Sequence, residues 1–204
     1  MFLKSIGSLC LVLFLSACAQ STLTNGDSFI DPGWNGVKAK SMVVEVINAP
    51  LNERTAIENA MVQSLNKRNI RAVASHTMLM PTRDYSDSKR QEILANSSYE
   101  THLTITPYNR DIIEHYTPPT RPYGTVGIGS GGYTSIGMGI GFGGGLHREE
   151  PIISYQTDLS VIKDNHKIWT SDYATRGPTG MSFKTIGKRF AVEITKKLAT
   201  DGVI

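Results

Sequence analysis

The sequence predicts an α/β (α+β) domain. It would be built on one mixed β-sheet of about five strands, in the order β-α-β-α-β, then a β-hairpin and a C-terminal helix, with a glycine-rich, hairpin-like insertion. Three observations predict this fold. A β-branched run at residues 41–47 and another at 70–78 flank a stretch with apolar residues at helical spacing. Residues 152–161 alternate apolar and polar, and a turn-rich pentapeptide separates them from a second β-rich run at 168–173. The last twenty or so residues carry one apolar helical stripe.

In chain order, Ser41 to Ile47 is the first strand, and Asn48-Ala-Pro50 breaks it. Asn52 is placed to cap the helix that follows, with Glu53 favourable in its first turn. Ile57, Ala60, Met61, Ser64 and Leu65 form its apolar stripe, and Asn69 can close it because Asn tolerates the left-handed conformation. Ile70 to Met78 resumes strand character, completing a β-α-β unit whose crossover should be right-handed. Ser86 to Asn96 reads as a short helix presenting Ile93 and Leu94, and Tyr99 to Thr106 as the third strand, interrupted by Pro107, with Ile112-Ile113 as a candidate extension.

A fourth strand begins near Ile152, with Ile153, Tyr155, Thr157, Leu159 and Val161 on one face. Lys163 to Lys167 supplies a hairpin turn, where Asp and Asn accept unusual dihedrals, and Ile168 to Tyr173 returns as the fifth strand. Ser182 can cap the last helix, whose stripe is Phe183, Ile186, Phe190, Ile194 and Leu198, and Gly202 follows its end.

The N-terminus carries an address. A short basic lead with Lys4 precedes the apolar run Leu9 to Leu15, which is too short to span a bilayer but suits an export signal. Leu15-Ser-Ala-Cys18 then resembles a bacterial lipobox. That resemblance implies a signal peptide over residues 1–17 and Cys18 as the lipidated first residue of the mature protein. A plain secretory signal also fits, since Ala17-Cys-Ala19 matches the small-x-small cleavage pattern. No Asp follows Cys18, which in the common Gram-negative sorting pattern implies the periplasmic face of the outer membrane. Lipidation with more than one acyl chain would make that anchor stable.

Of the two cysteines, Cys10 would leave with the signal and Cys18 would carry lipid, so the mature domain is expected to hold without disulfide or thiol chemistry. Residues 18–36 read as the lipidated Cys and a flexible tether, with Trp34 docking on the domain. Residues 37–204 read as a single domain containing the Pro- and Gly-rich insertion 118–150.

Composition narrows the function classes. The 21 Lys and Arg against 18 Asp and Glu are scattered, without the concentrated basic face that nucleic-acid binding requires, and export argues the same way. No catalytic set, metal site or cofactor motif is assembled. The five histidines show no HExxH spacing, and His147 beside Glu149 and Glu150 reads as a solvated polar run before it reads as a metal site. Gly127 to Gly132 matches GxGxxG, but no helix periodicity follows to receive a pyrophosphate.

The insertion is the candidate contact site. Eleven of the 19 glycines lie between Gly124 and Leu146. Val126 and Ile128 alternate with glycine, as do Ile136, Met138, Ile140 and Phe142, and Tyr133 sits between the two runs. Alternation at period two predicts a hairpin with an apolar face and a bare glycine face. The apolar face suits bilayer insertion, the glycine face close approach by an envelope protein or a second copy, and the bland alternative is a mobile loop.

Trp34-Asn-Gly36, Val43-Val-Glu-Val46, the helix end Leu65-Asn-Lys-Arg-Asn-Ile70, Lys167-Ile-Trp-Thr170 and Leu198-Ala-Thr-Asp-Gly202 follow the lipobox in that order. The order resembles a group of uncharacterised bacterial envelope lipoproteins with a Gly/Tyr/Pro-rich insertion before the last hairpin. More distantly, the β-α-β start resembles the periplasmic α/β modules of the TolB amino-terminal domain and curli-secretion lipoprotein families. The resemblance implies a fold, a membrane-anchored location and no catalytic residues. It leaves open whether the chain is a non-enzymatic envelope module or a subunit of an oligomeric export or pore assembly working through residues 126–142.

Overall fold

The computed structural model describes residues 22–24, 26–117, 125–128, 134–137, 146–178 and 180–204. Its elements are β1 (Thr22–Thr24), β2 (Ser28–Ile30), β3 (Ser41–Val46), α1 (Leu51–Asn66), β4 (Arg71–Ala74), a 3-10 turn (Ser75–Thr77), α2 (Asp87–Ala95), β5 (Thr101–Thr117), β6 (Thr125–Ile128), β7 (Thr134–Gly137), β8 (Leu146–Val161), β9 (Lys167–Arg176) and α3 (Phe183–Thr200). One mixed sheet runs in the order β1-β9-β8-β5-β3-β4, with β2 sharing the outer edge of β9 with β1. The expected single mixed sheet and C-terminal helix are both present.

The order of β3, β4 and β5 explains the layers. β4 and β5 both run parallel to β3 and flank it on opposite sides. Right-handed crossovers in opposite directions put their helices on opposite faces of the sheet. Accordingly Met42, Val44 and Val46 join α1 and α3 in the main core, while Val43 meets Leu94 of α2 in a small second cluster. The main core is centred on Trp169, Tyr155, Phe190, Ile57 and Met61, all buried. Tyr155 stacks on Phe190 with ring centroids 4.1 Å apart. A Cβ at Gly187 of α3 would overlap Ile57 of α1, so this glycine sets how closely the two helices approach.

Local signals behave as their chemistry requires. Ser86 and Ser182 cap α2 and α3, each hydroxyl accepting from the backbone N–H three residues on. Asn69 (φ 63°) and Asn165 (φ 55°) take the left-handed turns, and Gly202 (φ 76°) ends α3. Trp34 packs half-buried against the core.

Four readings need correction. Asn52 does not cap α1: the helix begins at Leu51, after Pro50, whose fixed φ of −55° already points the chain into it. The strand expected to reach Met78 stops at Ala74, where the chain turns and the Ser75 hydroxyl donates to Glu58 (2.9 Å). The interruption expected at Pro107 and the extension through Ile112-Ile113 are both present. A bulge between Pro107 and Asn109 absorbs the missing N–H, and the ladder continues to Thr117. β8 starts at Leu146, six residues before Ile152, because it pairs with that continuation. The sheet also takes in part of the segment read as a tether, since Thr22–Thr24 and Ser28–Ile30 hydrogen-bond to β9.

Candidate functional site

Two features stand out: a ribbon that leaves the sheet, and a buried charge network at the C-terminal ends of β3 and β4.

The ribbon is the distal part of β5 and β8. Past the bulge, Asn109 to Thr117 pairs with Ser154 to Leu146. Pro151 and Ile153 are still buried there, while Asp111, Ile112, Glu114 and Glu149 are exposed. Arg110 fixes the base of the ribbon. Its guanidinium makes a two-pronged contact with Glu53 of α1 (3.1 and 2.9 Å) and lies over the Phe183 ring at 5.7 Å. Tyr155 lies just inside that pair. Burial pushes its phenol well above the ordinary range, Glu53 adds to the rise and Arg110 opposes it. This tyrosine is a packing residue with no proton to give at neutral pH.

Between the two arms of the ribbon, β6 and β7 pair antiparallel, with Val126 opposite Ile136 and Ile128 opposite Thr134. A hairpin therefore forms in the glycine-rich stretch. Met138, Ile140 and Phe142 lie outside the described residues, as do Tyr133 and Cys18.

The charge network was not legible as a site from spacing. Glu58 sits on the buried face of α1 with an exposed fraction of 0%. Its Oε1 accepts from the Val46 N–H (3.0 Å), Arg54 Nε (3.0 Å) and the Ser75 hydroxyl. Its Oε2 faces the His76 N–H (3.2 Å) and Nδ1 (2.5 Å). β4 pairs with β3 only as far as Val44, so the Val46 N–H has no strand partner on that side, and the carboxylate supplies one.

Glu45, equally buried on β3, pairs with Arg90 of α2, with His102 Nε2 (3.0 Å) and with Arg54 (3.5 Å). Burial pushes its carboxyl up, but the His102 hydrogen bond and the His102 and Arg90 charges outweigh burial, so the net shift is downward. Arg54 joins the two carboxylates, and its other contact is Ser75 Oγ (3.0 Å). Each carboxylate oxygen in the network faces at least one neighbouring N–H, hydroxyl or imidazole nitrogen. The arrangement locks α1, α2, β3, β4 and β5 together.

His76 and His102 are drawn into this network, while Glu149 and Glu150 lie on the ribbon, Glu150 within 3.8 Å of Arg176. His147, the histidine considered with that acidic pair from sequence, lies on β8 opposite Tyr116, two residues before Glu149. Among the described residues no group of three or more His, Cys, Asp and Glu is arranged to hold a metal ion, and no helix is long and apolar enough to cross a membrane.

The clefts formed by described residues lie elsewhere. One of about 360 Å³ opens at the other end of the sheet, lined by Trp34, Val37, Lys38, Glu100, Asp164 and His166. Another runs between α1 and α3 past Asn59, Gln63 and Lys188. A further tie closes that region of the domain: Asp201 accepts from the Trp169 indole (2.9 Å), the Ser28 hydroxyl (2.8 Å) and Lys197 (2.7 Å), fastening β2, β9 and α3.

No protein-family model matches the chain, and no curated protein matches it in sequence. Solved structures similar to it include a PelC dodecamer from Paraburkholderia phytofirmans, at 11% identity and a TM-score of 0.47, covering 88% of this chain and 97% of that one. The lipoprotein GNA1162 from Neisseria meningitidis is similar at 10% identity and a TM-score of 0.40, covering 78% of this chain and 98% of the other. A DUF330 protein from Xanthomonas campestris is similar at 10% identity and 0.36, covering 87% and 96%.

Proposed function

We propose that the chain is an outer-membrane-anchored periplasmic lipoprotein that works by binding, as a non-enzymatic module of the cell envelope. The observation that carries this reading is the short distance between anchor and domain. Leu15-Ser-Ala-Cys18 stands only four residues ahead of Thr22, where the chain already hydrogen-bonds to β9. A lipid on Cys18 would hold the domain against the membrane on a short leash, which suits a fixed module better than a freely diffusing enzyme. The engagement of both buried carboxylates by their neighbours supports a structural use of the charged residues.

Replacing Cys18 with Ala tests the anchor. The variant is expected in the soluble periplasmic fraction, and its retention in the membrane fraction would overturn the reading.

A second reading has its own observation. The pairing of β6 with β7 supports a subunit that joins copies of itself, or lines an export or pore assembly, through the hairpin. Native mass spectrometry in detergent, with dye leakage from liposomes, distinguishes the two: a strict monomer that never permeabilises vesicles removes the second.

A further inference from the structure

The two clefts differ in what their polar side chains already do. In the Trp34–His166 cleft the charged groups answer one another. Lys38 donates to the Ile204 carbonyl (3.2 Å), Glu100 accepts from the Lys40 N–H (3.2 Å), Asp164 accepts from the His166 N–H (3.1 Å), and the His166 ring faces Asp31. The groove between α1 and α3, about 410 Å³, is the opposite case.

On its α1 side, Ala56 and Ala60 lie low between the carboxamides of Asn52, Asn59 and Gln63. These positions recur every three or four residues, so they form one stripe of the helix. Lys184 and Lys188, one turn apart, make the α3 side, and the close approach that Gly187 allows at Ile57 brings them alongside the stripe. The Thr55 hydroxyl is spent on the Leu51 carbonyl (2.9 Å). Among the described residues, none of the three carboxamides and neither lysine side chain has a hydrogen-bond or ion-pair partner. No acidic residue lines the groove, and Glu53 in the first turn of α1 is committed to Arg110. Like charges one turn apart repel, and no carboxylate of the groove offsets them.

This set of groups has a chemical complement. An ammonium only donates and suits an anionic oxygen, whereas a carboxamide both donates and accepts, which is the pattern of a hydroxyl. The rise from Asn52 to Gln63 is about 16 Å, longer than a lone inorganic anion can use. No aromatic ring lines the groove for a nucleobase to stack on, and two alanine methyls are too little apolar surface to hold a lipid chain.

We propose that the α1–α3 groove binds an acidic saccharide, with its anionic group between Lys184 and Lys188 and its ring hydroxyls on Asn52, Asn59 and Gln63. The site is separate from the membrane anchor and acts whether or not Cys18 carries lipid.

The test titrates the full-length chain calorimetrically with trigalacturonate and with a phosphorylated trisaccharide, beside neutral maltotriose and inorganic phosphate. At least one acidic trisaccharide is expected to bind saturably and more tightly than either comparison ligand. Lys184→Gln with Lys188→Gln should weaken that binding roughly tenfold or more, and Asn59→Ala with Gln63→Ala roughly threefold to tenfold. All four side chains are exposed, so both double variants should keep the parent's midpoint in urea. Lys67→Gln with Lys163→Gln makes the same charge change at exposed positions outside the groove and should bind as the parent does. Failure of both acidic trisaccharides to bind would overturn the proposal. So would equal binding of maltotriose, or an equal loss in the variant changed at 67 and 163, which would trace the effect to net charge. If inorganic phosphate binds as tightly, or the carboxamide variant binds unchanged, the groove is a plain anion site and the saccharide assignment falls. Each of these outcomes leaves the anchored reading where it stands, since none turns on Cys18.

Discussion

β5 and β8 form one continuous ladder, yet its two halves live in different surroundings. From Thr101 to Pro107, every second residue of β5 is buried between α1 and α3 on one face and α2 on the other, with Leu103 and Ile105 fully enclosed. From Asp111 to Glu114, the same strand keeps its pairing, but Asp111, Ile112 and Glu114 are exposed and Ile113 is only partly buried. The bulge at Pro107 and the Arg110–Glu53 pair mark the border. Backbone pairing is common to both halves, so the difference lies in what helices add. A two-stranded ribbon alone is marginal in water, whereas a covered one shares the stability of the whole core. The uncovered half can therefore carry contacts without taxing the fold.

The comparison breaks most easily at Glu58, the most connected side chain of the covered half. Glu58→Ala is expected to cost on the order of 3–5 kcal/mol in a urea or guanidinium denaturation, since it strands Arg54 and the Val46 N–H without their acceptor. A loss below about 1 kcal/mol would mean that water already reaches these groups, and that burial does not separate the two halves.

Next in size is Ile105→Ala. Ile105 is fully buried in the main core, and removing its side chain should cost about 2–5 kcal/mol by the same measurement. The exact value will report how well α1 and the sheet can close the cavity.

A third, smaller effect is confined to acid. Glu45 titrates below its ordinary value of 4.5 in the folded state. A depressed carboxylate contributes stability that is fully present above its unfolded value and fades as pH falls through its folded one. Stability should therefore drop as the solution is acidified below pH 4.5, and Glu45→Gln should flatten that part of the profile. An unchanged acid limb in the variant would assign it to other carboxylates.

The same contrast explains which parts of the fold were legible in the sequence. Elements specified by their own residues came through: the apolar stripe of α3, its Ser182 cap, and the left-handed Asn69 and Asn165. Elements specified by a neighbour did not. β1 and β2 are only three residues each, and they are strands because β9 offers them an open edge. β8 starts as early as Leu146 because the distal part of β5 pairs with it.

The charge network left few local traces: an acidic residue at Glu45 inside Met42-Val-Val-Glu-Val46, and Glu58 beside Ile57 on an apolar helix face, four positions after Arg54. Its partners lie 57 positions away at His102 and 45 away at Arg90, a separation no spacing rule detects. For the candidate contact site, the period-two alternation gave the hairpin.

The sharpest form of the comparison uses one residue type on one strand. Ile112 sits seven positions beyond Ile105 on β5, and half of it is exposed where Ile105 is fully buried. Ile112→Ala removes the same atoms from a site with little to lose, so its cost should stay within about 0.5 kcal/mol. Measured side by side, the two variants isolate the contribution of helix cover from that of strand pairing. If Ile112→Ala instead costs as much as Ile105→Ala, something covers the ribbon in solution. Repeating the pair of measurements in the presence of phosphatidylglycerol vesicles would then show whether that cover is lipid or a second copy of the chain, because only the second would vary with protein concentration when lipid is left out.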